Sequence, residues 1–229
     1  MAYCEVEKVN TDDLSNNVIT GNELDTSVQK VLRNTYMLLG ATIGFSALMA
    51  GISMLLRVPY MGLWMLLPYF GLLWMVEKNK NNSSGIAWCF ALTGFMGVTL
   101  GPILSMVLAL RGAEPIMLAL GSTALTFFAA SAYVLQTRKN LSAMGGFLFI
   151  GIMVAFFGGI ANIFLQIPAL ALTVSCMFAV LSTGIIMWQT SMIIHGGERN
   201  YISATVTLFV MLYNLFTIFL SFFGMGSEE

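Results

Sequence analysis

Few side chains in this 229-residue sequence are of a type that does chemistry, and they do not cluster. The one histidine, His195, closes a long apolar run in the stretch MWQTSMIIHGGERN (187–200), and Gln189 lies inside that run. Cys4, Cys89 and Cys176 form no CxxC pair, and such a scattered, odd set argues against a disulfide framework or a zinc site. The sequence holds no HExxH, no GxSxG and no pair of aspartates within an apolar stretch. No catalytic residue, metal site or cofactor is therefore expected, and the chain does not read as an enzyme. Gly196 and Gly197 follow His195 and suit the C-terminal cap of a helix, where an imidazolium would also complement the helix dipole. That reading is favoured over a catalytic or metal-binding histidine. Asn162, Gln189 and Asn214 are the main amides in or near the apolar runs. Amides buried in a membrane mostly hydrogen-bond between helices. A pore lining is the weaker alternative, because proton relays and cation sites favour ionisable groups.

The elements that position these groups must be membrane spans. Hydrophobic residues make up 58% of the chain and charged residues 9%, against about a quarter charged in soluble domains. The eleven acids are confined to the first 25 residues, to Glu77, Glu114 and Glu198, and to Glu228 and Glu229. Crossing about 30 Å of hydrocarbon takes roughly 20 apolar residues. Seven segments qualify: 31–56, 58–76, 85–110, 115–135, 141–164, 168–194 and 202–224. The fold class is thus all-α, a polytopic membrane protein of seven transmembrane helices. One set of flanks holds eight basic residues, Lys8, Lys30, Arg33, Lys78, Lys80, Arg138, Lys139 and Arg199; the other holds Arg57 and Arg111. Basic flanks stay in the cytoplasm, so the N-terminus is expected inside and the C-terminus outside. The first 27 residues lack the apolar core of a cleavable signal peptide, so the first span is expected to serve as an uncleaved anchor. Net charge is −1 and no basic patch suggests nucleic acid as a partner.

Two parts follow from this pattern. Residues 1–26 form an acidic, polar arm that cannot bury enough surface to offset its ordering entropy, and it is expected to be flexible in isolation. Asp25, Thr26 and Ser27 are candidate N-caps for the first span. Residues 27–229 form the helical domain. GATIG (40–44) and GVTLG (97–101) have the small-xxx-small spacing that lets helices approach closely, and GGFLFIGIMVAFFGG (145–159) is also rich in glycine. Pro68 and Pro102 fall within spans, and Pro168 suits the first turn of the sixth.

The stretches KVLRNTYMLLG (30–40), TGFMGVTLGPIL (93–104), ANIFLQIPAL (161–170) and QTSMIIHGGERNYISATV (189–206) together resemble the Bax inhibitor family of seven-span membrane proteins. The resemblance covers nearly everything after the arm. It implies a bundle whose last helix is central, surrounded by the other six. Some members conduct calcium as a pH-sensitive leak through two aspartates, one on each of the last two helices, that share a proton. Like charges held close cannot both ionise easily, which raises one pKa. The matching positions here are Gln189 and Met211, and neither titrates. A shift of the alignment does not restore the pair, since no acid occurs between 115 and 197 or between 199 and 227. Within the family the chain resembles most closely the bacterial YccA group, modulators of the membrane-bound FtsH protease. That implies a bacterial inner-membrane location, with FtsH, its HflK/HflC partners and membrane lipid as the expected company. A physical route is open to such a role. The arm, with Cys4, Glu5, Glu7, Asp12 and Asp13, would be the handle that enters an ATP-driven unfoldase, and the packed bundle would resist extraction. A calcium leak channel is the alternative, raised by the resemblance and lowered by the missing acids.

Overall fold

The computed structural model describes residues 11–60 and 62–225, with side chains from residue 26 onward except at 63 and 225. Among the described residues the chain is all-α. The helices are α1 (Thr11–Leu55), α2 (Leu66–Asn79), α3 (Ser84–Arg111), α4 (Glu114–Thr137), α5 (Gly145–Leu165), α6 (Pro168–Ile194) and α7 (Tyr201–Met225). Short 3₁₀ turns, Gly62–Met65 and Ser142–Met144, lead into α2 and α5.

Six segments among the described residues are long and apolar enough to cross a membrane: Thr26–Leu55, Ser84–Arg111, Glu114–Thr137, Ser142–Leu165, Pro168–Ile194 and Tyr201–Gly224. The expected span 58–76 is the exception. Its helix, α2, has only 14 residues and begins at Leu66. The reason is local. Arg57 leaves α1 in the left-handed region at φ 49°. Pro59 then disfavours helix at the residue before it. Helix capping differs at α1 as well. Its backbone runs on from Thr11, so Asp25, Thr26 and Ser27 lie within the helix and not at its cap. No proline interrupts that stretch.

Glycine sets the closest contacts, but not at every motif. A Cβ on Gly97 would lie 2.3 Å from the Ser46 carbonyl oxygen, and one on Gly101 would lie 2.3 Å from Ser53 Oγ. GVTLG is therefore the seam along which α1 and α3 run parallel. Ser53 Oγ donates across it to the Val98 carbonyl at 2.8 Å. GATIG makes no such seam, for a Cβ on Gly40 or Gly44 would meet nothing within 4 Å among the described residues. In α5, Gly145 faces Trp188, Gly151 faces Leu181 and Gly158 faces Val174. That register makes α5 antiparallel to α6.

Three connections meet at one end of the bundle. Asn200 Nδ2 donates to the Lys80 carbonyl at 2.9 Å and to Asn81 Oδ1 at 2.9 Å. Ser191 Oγ donates to the Lys139 carbonyl at 2.9 Å and accepts from the Leu141 amide at 2.9 Å. Thr205 Oγ1, one turn into α7, donates to the Thr35 carbonyl and brings the early part of α1 to the same end. The α2–α3, α4–α5 and α6–α7 connections thus share one end, and successive helices run alternately toward and away from it. The core is drawn from several helices, with Leu39, Leu92, Phe127, Ile186, Leu208 and Leu215 in one cluster. α7 packs against α1, α3, α4 and α6, whereas α5 packs chiefly on α6. Phe147 and Phe164 on α5 are 72% and 82% exposed, a surface suited to lipid.

Candidate functional site

The polar residues singled out on α6 lie in its best enclosed part. Leu181, Ser182, Ile185, Ile186, Gln189, Thr190, Ser191 and Ile193 are all buried. Thr190 Oγ1 donates back to the Ile186 carbonyl at 2.8 Å, which satisfies its hydroxyl within the helix. Gln189 is 3% exposed, and its Nε2 has no hydrogen-bond partner among the described residues. Met211, on α7, is buried in the apolar cluster with Ile186, Leu208 and Leu215. α6 and α7 pack directly. By helical rise Gln189 lies about 9 Å from His195, and Met211 about 15 Å from Tyr201 at the facing end of α7. The two positions sit at different depths, and neither side chain can hold or share a proton with the other.

His195 ends α6, as its two glycines suggest. It is the C-cap residue, and Gly196 follows in the left-handed region at φ 70°. The Gly197 amide donates to the Met192 carbonyl at 2.9 Å, closing the last turn. The imidazole also does what the local sequence does not foretell. Its Nδ1 lies 2.9 Å from the Ser191 carbonyl, and its Nε2 lies 3.1 Å from the Arg138 carbonyl at the end of α4. Arg138 turns there with φ 48°, its amide donating to the Val134 carbonyl. Through Nε2 the side chain therefore reaches from the end of α6 to the backbone at the end of α4.

The other amides divide. Asn162 Oδ1 accepts from the Ile167 amide at 3.1 Å, which closes the α5–α6 hairpin. Asn214 is half-buried on α7, where its carbonyl accepts from Thr217 Oγ1 at 2.9 Å. The polar contact between α3 and α7 comes from hydroxyls instead, with Thr99 Oγ1 and the Tyr213 hydroxyl sharing a hydrogen bond of 2.9 Å. Asn200 is the residue that sequence inspection passes over. Its Oδ1 caps α7 by accepting from the amides of Ile202 (2.9 Å) and Ser203 (3.2 Å), while its Nδ2 holds the α2–α3 connection. An asparagine just before an apolar run is a capping signal; its second partner, 120 residues away, leaves no local trace. Glu77 and Lys80 form an ion pair beside it, and the hydrogen bond that Lys80 donates to the Glu77 carboxylate raises the Lys80 pKa. Of the arm residues, Cys4, Glu5 and Glu7 lie outside the described residues, as do the side chains of Asp12 and Asp13.

A helical bundle of membrane-length segments, with a neutral polar level where α6 meets the loops, defines a class of polytopic membrane protein. The chain belongs to the Bax inhibitor family: the family model described as inhibitor of apoptosis-promoting Bax1 matches residues 28–228. Its relatives include the Escherichia coli K12 protein named modulator of FtsH protease YccA, 50% identical over 89% of this chain and 93% of that protein. The counterpart in Escherichia coli O6:H1, named inner membrane protein YccA, is also 50% identical over the same shares. A Pseudomonas aeruginosa protein of uncharacterized function is 48% identical over 88% of this chain and 92% of its own length.

Proposed function

We propose that this chain resides in the bacterial inner membrane and modulates the FtsH protease, limiting the breakdown of other membrane proteins. The observation that carries this is the 50% identity, across 89% of the chain, to the Escherichia coli protein named for that role. FtsH is then the principal partner, HflK and HflC are further ones, and lipid surrounds the bundle. The chain acts by binding or occupying the protease and not as an enzyme itself.

In this reading all seven helices cross the membrane. The 14 residues of α2 and the 4 of its 3₁₀ turn together cover about 29 Å, close to the thickness of the hydrocarbon layer. α7, packed against α1, α3, α4 and α6, is the central helix. The end carrying Lys78, Lys80, Arg138, Lys139 and Arg199 faces the cytoplasm. Residues 1–26 then lie on the cytoplasmic side, where Cys4, Glu5, Glu7, Asp12 and Asp13 serve as the handle. Traction on that arm loads α1 lengthwise against its glycine seam with α3. A body that yields slowly keeps the protease occupied and spares competing substrates.

The test is a chase of a second FtsH substrate in cells that lack or overproduce the chain. The substrate should persist longer as the chain's level rises, and an unchanged half-life refutes the role. A reporter fused after Glu229 checks the orientation, since it should be active only if it works in the periplasm.

A further inference from the structure

Three side chains in the half of the bundle nearest the converging loops are buried without a partner. Thr35 of α1 is 0% exposed, and Ser131 of α4 and Gln189 of α6 are each 3% exposed. Thr35 Oγ1, Ser131 Oγ and Gln189 Nε2 make no hydrogen bond among the described residues, and neither does the buried hydroxyl of Tyr36. A group left so forfeits the hydrogen bonds it made with water in the unfolded chain. More than about nine in ten buried polar groups have a partner, protein or water.

Thr35, Ser131 and Gln189 lie near one level by helical rise, and the Tyr36 ring reaches α4 about one turn deeper. His195 ties the end of α6 to Arg138 at the end of α4. Gln189 is six residues before His195 and Ser131 seven before Arg138, about 9 and 10 Å along their helices. Thr35 is placed by Thr205, which donates to its carbonyl from about 6 Å into α7. The Tyr36 ring meets Phe127 with centroids 5.9 Å apart, and Ser131 stands one turn on from Phe127, on the same face of α4. α6 packs against both α1 and α4. Trp188 Nε1 is also unpaired but lies against Gly145, on a different face of α6, and forms no part of this set.

We propose that Thr35, Tyr36, Ser131 and Gln189 line a buried hydration site, holding bound water between α1, α4 and α6. Three hydroxyls and an amide nitrogen offer both donors and acceptors, and none bonds to another. Water matches that mixture, since a buried molecule takes two to four polar partners and can bridge groups that do not reach each other. None of the four side chains is charged, so the set offers neither a carboxylate for a metal cation nor a cation for an anion.

X-ray radiolytic labelling of the full-length protein in lipid nanodiscs, read by mass spectrometry, tests this directly. Radicals form from water in place, so a side chain touching bound water is oxidised even when a bulk scavenger is present. Tyr36 should be labelled well above Phe209, which is 4% exposed in the apolar core, after correction for intrinsic reactivity. Its labelling should also persist at scavenger levels that quench Tyr133, which is 44% exposed near the loop end. Ser131→Ala and Gln189→Met should each slow Tyr36 labelling and leave Tyr133 unchanged. Ser131→Ala is the smaller change and carries the comparison if Gln189→Met does not fold. The proposal is overturned if Tyr36 in the unmodified protein is labelled as slowly as Phe209. It is equally overturned if the scavenger quenches Tyr36 as strongly as Tyr133, or if the substitutions leave its rate unchanged.

Discussion

Two glycine pairs of identical spacing, Gly40 with Gly44 and Gly97 with Gly101, should answer alanine with opposite signs. A methyl on Gly97 would sit 2.3 Å from the Ser46 carbonyl oxygen, 2.9 Å from its carbonyl carbon and 2.9 Å from Ser46 Oγ. Two of these three atoms are backbone, so a rotamer change cannot relieve the clash. α1 and α3 must move apart, and the Ser53–Val98 hydrogen bond lies in that same seam. Overpacking a filled site costs about 1–3 kcal/mol, and replacing glycine within a helix returns at most about 1 kcal/mol. The rigid neighbour selects the upper part of the first range, so Gly97→Ala should destabilise by about 1–2 kcal/mol net. At Gly40 only the helix term operates, because a Cβ there would meet nothing within 4 Å among the described residues. Gly40→Ala should therefore be neutral or stabilising by up to about 1 kcal/mol. Unfolding in mixed detergent and SDS micelles, followed by tryptophan fluorescence, measures both. At Gly101 the obstacle includes a side chain, Ser53 Oγ, so adding Ser53→Ala should recover part of the loss caused by Gly101→Ala. Equal effects at Gly40 and Gly97, or a Gly97→Ala change within about 0.5 kcal/mol of the unmodified protein, would refute the assigned seam.

Asn200→Ala removes the α7 cap and the tie to the α2–α3 connection, and should lower stability by about 1–2 kcal/mol in the same assay. Asn200→Asp keeps the acceptor at the helix N-terminus and should recover a good part of that loss, so equal losses for the two would count against the cap. In liposomes the unmodified protein should show no pH-gated calcium flux, because Gln189 and Met211 cannot share a proton; a robust pH-dependent leak would promote the channel reading. Deleting residues 2–20 should leave the bundle folded and slow the chain's own turnover by FtsH. Equal decay of full-length and truncated chains in cells containing the protease would eliminate the arm as handle.

The sequence by itself determined the membrane class, the long helices other than the second, and the end of α6. Those features rest on composition and on neighbours within a few residues. Twenty apolar residues must bury their backbone polar groups in helix, and the glycine after His195 supplies the residue that most readily takes the left-handed turn closing a helix. The sequence also showed that the pair of positions at Gln189 and Met211 cannot titrate, since residue type alone decides that. Tertiary structure decided which small residues matter. GATIG and GVTLG are indistinguishable as patterns, yet only the second meets another backbone, because close approach depends on which face the partner helix takes. It also set the partners of Asn200 and His195, which sit 120 and 57 residues away, and it left Thr35, Ser131 and Gln189 enclosed at a common level. A hydroxyl or amide has no fixed meaning in a sequence; whether it caps, bridges or needs water is settled by what the other helices bring within about 3 Å.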